Sequence, residues 1–394
     1  MENQVKITKI STTVINAALR NWVIVRVDTD EPGLYGLGEA TVEFQTEAVV
    51  GAVKSLAPLI IGRDPLEIER NWQIVYRHPF FKGGVVSMSA LSGIDQALWD
   101  IHSKNMGVPL WRALGGLARD KVRLYDHLGG GNSDAVYESD TAKAFAEKMQ
   151  ESKEFGFTAV KILAVPQAAP LDGAKKLKHA DSLMRAAREA GGDDIDIMVD
   201  FHGRPASAAA AFAYIDALAP HRPMFVEEVL PPGDTQGLIE IAGKTHVPLA
   251  TGERLVDHIE FSELFQSRAV DIAQPDICHC GGLLEAKKIA AMAEAASIGV
   301  APHNPLGPIA GVAALHFAVS TPNHIIQEEM VGAVPWYFDV VKGPIKMIDG
   351  HWQVPEAPGL GIEVDEKVCT AHPFAPEIYH TQNAIMDDGT IVDW

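Results

Sequence analysis

The chain has 394 residues, of which 47% are hydrophobic and 22% charged, and it carries a formal net charge of −19. This length exceeds one ordinary domain, and the composition is that of a globular protein. The acidic balance argues against nucleic acid or an anionic membrane as the main partner, and an anionic substrate would need a local cation.

Targeting segments and disulfides are not expected. The amino terminus MENQVKITKI lacks the apolar core of a signal peptide, and no apolar run approaches the roughly 18 residues of a membrane span. Cys278, Cys280 and Cys369 are too few for a disulfide framework. We therefore expect a cytoplasmic protein. The segment Cys278-His279-Cys280 could belong to a zinc site, but no second ligand pair follows at finger spacing.

Residues 1–118 predict an α+β module. Alternating apolar residues and a turn at Glu31-Pro32-Gly33 indicate antiparallel strands over residues 5–44. From Thr46 to about Met106 the apolar period becomes helical. Sheet and helices are separate in sequence, which is typical of an α+β domain.

Residues 119–340 predict a (β/α) barrel, beginning with strands at VRLYDH and at TAVKILAV, which carries Lys161. Farther on, short apolar runs end in polar side chains that are 27, 26, 23, 27 and 25 residues apart: Asp200, Glu227, Glu253, Asp276, His303 and Glu328. One strand, one helix and two loops need about this length, the repeat of an eight-unit barrel of roughly 250 residues.

The carboxyl ends of barrel strands meet at one rim, so these six side chains are expected to converge in an active site. After Glu328 the repeat stops. The segment 341–394 is rich in Pro, Gly and Asp from about Pro344, with a strand-like GIEVD at residues 361–365. We expect it to pack back against the amino-terminal module.

Three consecutive strand ends carry carboxylates, namely Asp200, Glu227 and Glu253. An oxygen-only set with open positions suits Mg²⁺, which keeps water or substrate oxygens in its shell. For any one of them, a solvated or ion-paired surface carboxylate is an equally good interpretation. Three in succession favour a metal site.

His303 and Asp276 end neighbouring strands, and a carboxylate beside a histidine fixes its tautomer and raises its basicity. His202 follows a strand on the opposite side of the ring, so the two histidines could act as base and acid on opposite faces of one substrate. Lys161 and Glu328 remain to contact charge that develops on the substrate.

Long blocks of the chain resemble the mandelate racemase-type subgroup of the enolase superfamily, and within it the acid-sugar dehydratases. The similar blocks run through nearly the whole chain: GLGEA, SALSGIDQALWDIHSKNMGVPLWRALGG, VDFHGR, FVEE, ATGERL, QPDICHCGG, APHNPLGPIA and IIQEE. The resemblance implies a modified TIM (β/α)-barrel with an α+β capping domain that the carboxyl-terminal tail completes.

The resemblance also implies roles for the rim residues. Asp200, Glu227 and Glu253 would bind Mg²⁺, and His303 with Asp276 would form the base dyad. His202 would be the general acid, and Glu328 would hydrogen-bond the substrate carboxylate or enolate. The implied assembly is a homo-oligomer, from a dimer to an octamer.

The implied reaction is dehydration of an aldonate, such as D-galactonate or D-gluconate, to a 2-keto-3-deoxy acid. Lys161 and Arg204 would contribute positive charge for the acid. The loop of residues 17–22, together with Glu43, is expected to contact the far end of the sugar.

Two departures from the family pattern bear on these roles. Lys161 is followed by Ile162 and Leu163, so the second lysine of a Lys-x-Lys pair is absent and His202 is left as the acid. The usual Glu-Glu-Pro is Glu227-Glu228-Val229 here, which affects substrate choice more than metal binding.

Three alternatives stay open on the sequence. A racemase or epimerase would use groups on the same two opposite faces of the substrate, and the substrate would not lose water. A Schiff-base lyase would use Lys161 and no metal. A non-catalytic barrel would keep the fold without the reaction.

Overall fold

An α+β cap precedes a parallel barrel in the computed structural model, which describes residues 5–343, 345–377 and 384–393. The cap holds an antiparallel sheet in the order β1-β2-β3 and a set of helices packed on it. The elements are β1 (Ile7–Ala17), β2 (Arg20–Thr29), β3 (Tyr35–Glu39), α1 (Thr46–Leu56), a 3₁₀ turn (Ala57–Leu59), α2 (Ile68–Arg77), α3 (Val85–Asn105) and α4 (Leu110–Ala113). The predicted antiparallel strands and helical region are confirmed.

Eight parallel strands form the barrel. They are β4 (Lys121–His127), β5 (Ala159–Ile162), β6 (Asp196–Asp200), β7 (Val226–Glu227), β8 (Leu249–Thr251), β9 (Ile272–Ala273), β10 (Gly299–Val300) and β11 (Gln327–Glu329). Neighbours pair in chain order from β4 to β10, and β11 pairs with β4. A parallel bridge between Val300 and His324 joins β10 to the segment before β11 and closes the ring.

Helices surround this ring, and most follow one strand and precede the next. They are α5 (Ser133–Tyr137), α6 (Ala142–Glu154), α7 (Ala174–Gly191), α8 (Ala208–Leu218), α9 (Thr235–Ala242), α10 (His258–Ser267), α11 (Gly282–Ala295) and α12 (Pro308–Val319), with 3₁₀ turns at Ala219–His221 and Tyr337–Asp339. Within the described residues, none is both long and apolar enough to cross a membrane.

The inside of the ring is filled by one apolar side chain from each strand or the residue next to it: Tyr125, Ala159, Met198, Phe225, Ala250, Ile272, Ala301 and Ile326. A barrel filled in this way is a packed core rather than a pore. The polar side chains at the carboxyl ends of the strands therefore lie directly above a packed apolar core.

The tail after the barrel contacts both parts of the chain. Its elements are β12 (Val341–Lys342), β13 (Met347–Ile348), β14 (His351–Gln353), β15 (Glu363–Val364) and α13 (Glu366–Ala371). The β13-β14 hairpin, which the sequence pattern did not predict, pairs antiparallel with the start of β4. On the cap side, the Asn16 N–H donates to the His372 carbonyl at 2.9 Å, and Asp100 Oδ1 accepts from the Leu360 N–H at 2.8 Å.

These contacts agree with a cap that the tail completes. The domain limits at residues 118 and 340 stay predictions, and Pro344, the expected start of the tail, lies outside the described residues.

Gly36 of β3 gives a test of how closely the cap sheet and α3 approach each other. A Cβ at Gly36 would overlap the Ala97 carbonyl oxygen of α3. We expect Gly36→Ala to lower the free energy of unfolding by roughly 1–3 kcal/mol, because a rigid backbone atom must move. The measurement is denaturant unfolding followed by circular dichroism.

The matched control is Gly51→Ala, on an exposed face of α1 with open space around the added Cβ. It should raise the free energy of unfolding by about 0.5–1 kcal/mol. Equal effects of the two substitutions would contradict the close approach.

Candidate active site

Three carboxylates come together at the carboxyl ends of β6, β7 and β8. Asp200 and Glu227 are the last residues of their strands and are register partners, and Glu253 follows β8 by two residues. One oxygen from each lies within 4.8 Å of the others. Asp200 and Glu227 are buried, and the Glu253 side chain is only 11% exposed. The predicted convergence of these strand ends is therefore present.

Two oxygens of this triad have no hydrogen-bond partner among the described residues, namely Glu227 Oε2 and Glu253 Oε2. Burial raises the pKa of Glu227, with Lys161 opposing the shift and Asp200 adding to it. Burial and the neighbouring Glu228 raise the pKa of Glu253 well above its usual range. Unpaired, buried, mutually repelling oxygens fit a hard divalent cation, which would satisfy all of them.

Lys161 of β5 is a fully buried cation between these carboxylates. Its Nζ lies 2.8 Å from Glu227 Oε1, 2.8 Å from Glu328 Oε1 and 3.6 Å from Asp200 Oδ2. Burial alone would lower the pKa of Lys161, but Glu227 and Glu328 outweigh burial and raise it well above its usual value. Lys161 is therefore an ammonium group and not the free amine that a Schiff base requires.

Glu328, in β11, is fixed from three directions. It accepts from Lys161, contacts His127 Nε2 of β4, and accepts the Asn304 N–H at 2.7 Å. Burial disfavours its charged form, yet Lys161 and His127 outweigh burial and hold its pKa well below the usual range. Glu328 is thus an ionised acceptor at the rim.

His303 and Asp276 form a hydrogen-bonded pair just beyond the ends of β10 and β9. His303 Nδ1 lies 2.7 Å from Asp276 Oδ2, and its Nε2 lies 3.7 Å from Glu253 Oε2, on the side of the triad. Burial lowers the pKa of His303, but Glu328 and the bond to Asp276 outweigh burial and raise the pKa to about 9. A cation in the triad would lower this pKa and favour the neutral imidazole that accepts a proton.

His202 lies two residues after β6, four strands around the ring from β10. Its backbone has φ +57°, a left-handed conformation that β-strands do not continue through, and its N–H donates to Asp200 Oδ1 at 2.7 Å. This turn places the imidazole in the lining of the same cavity as His303. The two histidines therefore face one space from opposite sides of the ring.

A cavity of about 390 Å³ lies between barrel and cap and is lined by Asp200 and Glu253 of the triad, whereas Glu227 is buried beneath it. Its barrel side includes His127, Lys161, Asp200, His202, Glu253, Arg254 and His303, and its cap side is formed by Val42, Glu43, Gln45 and Val85. Glu43, expected to contact the far end of the sugar, does line this space. Arg20, from the loop singled out with it, forms an ion pair with Glu43 and donates to the Pro305 carbonyl at 2.5 Å.

Arg204 is placed differently from the other predicted residues. Its side chain is buried, and Nη1 donates to the Val165 carbonyl at 2.5 Å instead of lining the cavity. Burial lowers the pKa of this arginine. The role of Arg204 in substrate binding stays a prediction.

The zinc interpretation of Cys278-His279-Cys280 finds no support. Within the described residues, Asp200, Glu227 and Glu253 are the one group of three side chains arranged to hold a metal. Both thiols are buried, and burial raises the pKa of each well above its usual value. His279 instead places Nδ1 2.8 Å from Ser89 Oγ of the cap.

Sequence reasoning missed His127, Tyr137, Arg254 and His279 as cavity residues. His127 ends β4, so extending the strand-end argument to the first barrel strand would have found it. Arg254 follows Glu253 directly and forms an ion pair with the buried Glu228. Tyr137 is the last residue of the short helix α5 and His279 lies in a turn, and neither element is long enough to give a periodic signal.

Family models match both parts of the chain. Residues 1–115 match the model described as mandelate racemase / muconate lactonizing enzyme, N-terminal domain, and residues 144–368 match the one described as enolase C-terminal domain-like. The D-galactonate dehydratase of Cronobacter sakazakii is 36% identical over 395 residues, covering 99% of this chain and all of that protein. The D-galactonate dehydratase of Xanthomonas euvesicatoria is 37% identical over the same span.

Solved structures give the same result. An enolase from Agrobacterium radiobacter, crystallised with Na and L-malate bound, superposes with a TM-score of 0.89 at 30% identity, covering 99% of this chain and 100% of that one. A mandelate racemase/muconate lactonizing enzyme-like protein from Rubrobacter xylanophilus superposes with a TM-score of 0.88 at 31% identity, covering 95% and 98%.

Proton release tests the cation site. The pKa values of Glu227, Glu253 and His303 are all raised in the metal-free protein. Divalent cation binding should displace protons from this site, so the affinity should increase as the pH rises towards the His303 pKa of about 9. Isothermal titration calorimetry with MgCl₂, in two buffers of different ionisation enthalpy, measures both quantities.

The control is Glu253→Gln, which removes one titrating ligand. It should weaken Mg²⁺ binding and release fewer protons. Binding that is independent of pH and of Glu253 would place the cation elsewhere.

Proposed function

Since the chain belongs to the mandelate racemase and muconate lactonizing enzyme family of the enolase superfamily, we propose that it is a hydro-lyase acting on a sugar acid. The product would be a 2-keto-3-deoxy acid. The observation that carries the proposal is the His303–Asp276 pair beside the carboxylate triad, with His202 across the same cavity. The full-length relatives named D-galactonate dehydratase support the choice of acid-sugar dehydration.

Asp200, Glu227 and Glu253 would hold Mg²⁺ in this proposal. Their hard, anionic oxygens suit that ion, and two of these oxygens are buried without a donor. When bound, Mg²⁺ supplies Lewis-acid stabilisation of the substrate carboxylate, worth several kcal/mol as negative charge builds on it.

The protein's own groups divide the proton transfers. His303, held through Nδ1 by Asp276, takes the proton from C2 on Nε2. His202 donates a proton to the departing C3 hydroxyl, which leaves as water, so the proton lost at one face is balanced at the other. The resulting enol tautomerises to the 2-keto-3-deoxy acid.

Lys161, which lines the cavity, and Glu328, which contacts Lys161 but does not itself line the cavity, are assigned to the reacting end of the acid. The Lys161 ammonium is buried and lies next to the triad, where it favours a second negative charge on the substrate carboxylate. The Glu328 carboxylate accepts hydrogen bonds, which suits a hydroxyl or a protonated enol oxygen.

Substrate choice would rest on the cap side of the cavity. Glu43 and Gln45 line it there, and hydrogen-bonding groups suit the hydroxyls of an aldonate such as D-galactonate or D-gluconate. The partner is thus a small-molecule sugar acid, and assembly as a homo-oligomer stays a prediction. Epimerisation is the second candidate, because His202 and His303 on opposite faces could also exchange one proton without loss of water.

A substrate screen tests the dehydratase. The purified protein with Mg²⁺ is incubated with C5 and C6 aldonic and aldaric acids, and 2-keto-3-deoxy product is read by semicarbazide absorbance. At least one acid should react, EDTA should abolish the reaction, and His303→Asn should lower its rate by about 10²–10⁴-fold. A product that is only inverted at C2 would replace the dehydratase with an epimerase.

Deuterium exchange separates the two histidines. His202→Asn should stop water loss but keep exchange of the C2 proton with D₂O, because His303 remains in place to remove it. His303→Asn should abolish both the loss of water and the exchange of the C2 proton. Proton NMR of the reacting acid measures the exchange, and loss of exchange in His202→Asn with unchanged Mg²⁺ binding would reverse the assignment.

A further inference from the structure

The barrel helices differ in how their first turns are capped. In five of them the side chain of the N-cap residue accepts a backbone N–H of the first turn: Asn132 for α5, Thr141 for α6, Ser207 for α8, Asp234 for α9 and Asp257 for α10. Helices α7, α11 and α12 begin instead at Gly173, Gly281 and Gly307, which have no side chain to cap them. Of these three, α11 and α12 have first turns that hydrogen-bond to the cap domain. These two helices follow the strands β9 and β10, after which Asp276 and His303 lie.

A carboxylate of the cap domain accepts hydrogen bonds from the first turn of α12, which has no capping side chain of its own. Glu39, the last residue of β3, accepts the Gly307 N–H at 2.8 Å through Oε1 and the Ala310 N–H at 2.9 Å through Oε2. Thr41 Oγ1 donates to the same carboxylate at 2.7 Å. Glu39 is buried, and burial raises its pKa, whereas the hydrogen bonds from Thr41, Ala310 and Gly307 at the positive end of α12 oppose that shift.

Side chains of the cap helix α3 likewise accept backbone N–H groups at the start of α11. Asp95 Oδ2 accepts the Leu284 N–H in the first turn of α11 at 3.1 Å. One helical turn before Asp95, Ser92 Oγ accepts the Gly281 N–H at 2.9 Å. A polar stripe along one face of α3 therefore holds the start of α11, and Ser89, one turn earlier, reaches His279.

The glycines at both helix starts fit this arrangement. A Cβ at Gly307 would lie 2.7 Å from both Glu39 carboxylate oxygens, and a Cβ at Gly282 would overlap Asp95 Oδ2. The cap carboxylates thus fill the space that a side chain at these positions would need.

Short loops connect these contacts to the reacting pair. Only three residues separate His303 from Gly307, and the Asn304 N–H in between is bound to Glu328. On the other loop, the Cys278 N–H donates to Asp276 Oδ1 at 2.6 Å, and the Cys280 N–H to the Asp276 carbonyl at 2.8 Å. A shift at either helix start would therefore move one partner of the pair.

We propose that Glu39 and Asp95 are positioning residues, through which the cap holds Asp276 and His303 in hydrogen-bond contact. This inference rests on the proposed function for its catalytic meaning, but the geometry can be tested without any activity.

The test compares two variants with their matched controls. Glu39→Gln keeps the size of the side chain but turns one acceptor oxygen into a donor that faces a backbone N–H. Asp95→Ala removes the acceptor. Asp95→Asn keeps an oxygen that can accept the Leu284 N–H, so the hydrogen bond between His303 and Asp276 should be retained. Asp234→Ala removes the capping acceptor of α9, where the Gly237 N–H is bound at 2.9 Å, and serves as the control for general loss of stability.

Crystal structures of the variants give the first readout. In Glu39→Gln and Asp95→Ala, the distance from His303 Nδ1 to Asp276 Oδ2 should exceed the ~3.5 Å limit of a hydrogen bond, and it should stay at 2.7 Å in Asp95→Asn. An intact pair in both disrupted variants would overturn the proposal. If Glu39→Gln does not fold, the Asp95→Ala and Asp95→Asn comparison decides alone.

Kinetics on an acid found by the screen give the second readout. In Glu39→Gln, kcat should fall roughly tenfold to hundredfold with KM nearly unchanged, as expected for a misplaced base. An equal loss of kcat in Asp234→Ala would overturn the proposal, because the effect would then be general. If the wild type converts no acid, the proposed function fails, and the crystal structures still decide the positioning.

Discussion

The balance of charge at the barrel mouth is the constraint on which the site depends. The Lys161 ammonium lies among three carboxylates, Asp200, Glu227 and Glu328, and Glu253 adds a fourth next to Asp200 and Glu227, in space with little access to water. Their repulsion is strong there because the local dielectric is low. A bound divalent cation would reduce this repulsion between the carboxylates, and so would a proton on one of the groups nearby. The same geometry therefore suits a divalent ion and a proton-transferring histidine. The overall acidity of the protein and its capacity for an anionic substrate are therefore compatible.

Much of this arrangement could be predicted because a barrel repeats. Strands that recur every 23 to 27 residues bring their carboxyl ends to one rim, so residues far apart in sequence, such as Asp200 and His303, can be placed in one cavity. The helical period of the apolar residues from Thr46 to about Met106 likewise predicted the region of the cap helices α1, α2 and α3. In both cases the apolar residues recur at a regular spacing along the chain. The fold then brings residues that are distant in sequence close together.

What could not be predicted depends on contacts that have no local signal. The β13-β14 hairpin is short, and it is a strand pair because it lies beside the start of β4. Arg204 follows the triad strand closely, yet its side chain turns to the Val165 carbonyl, since a rotamer decides its direction. Glu39 and Asp95 occur in motifs that mark the cap, but a motif does not say which helix of another domain a carboxylate reaches.

The cap is consequently more than a cover for the cavity. Residues 39, 41, 43 and 45 follow one another along a single segment after the cap sheet: Glu39 binds the start of α12, Thr41 binds Glu39, and Glu43 and Gln45 line the cavity. A change that moves this segment to admit a different sugar acid also moves the carboxylate that holds the helix after His303. Substrate recognition and the geometry of the base are thus joined through a few residues of backbone. A substitution confined to the side chain of Gln45 avoids this coupling, because the Glu39 contacts stay in place. A change at Glu43 does not avoid it, because Glu43 forms an ion pair with Arg20, which donates to the Pro305 carbonyl between His303 and Gly307.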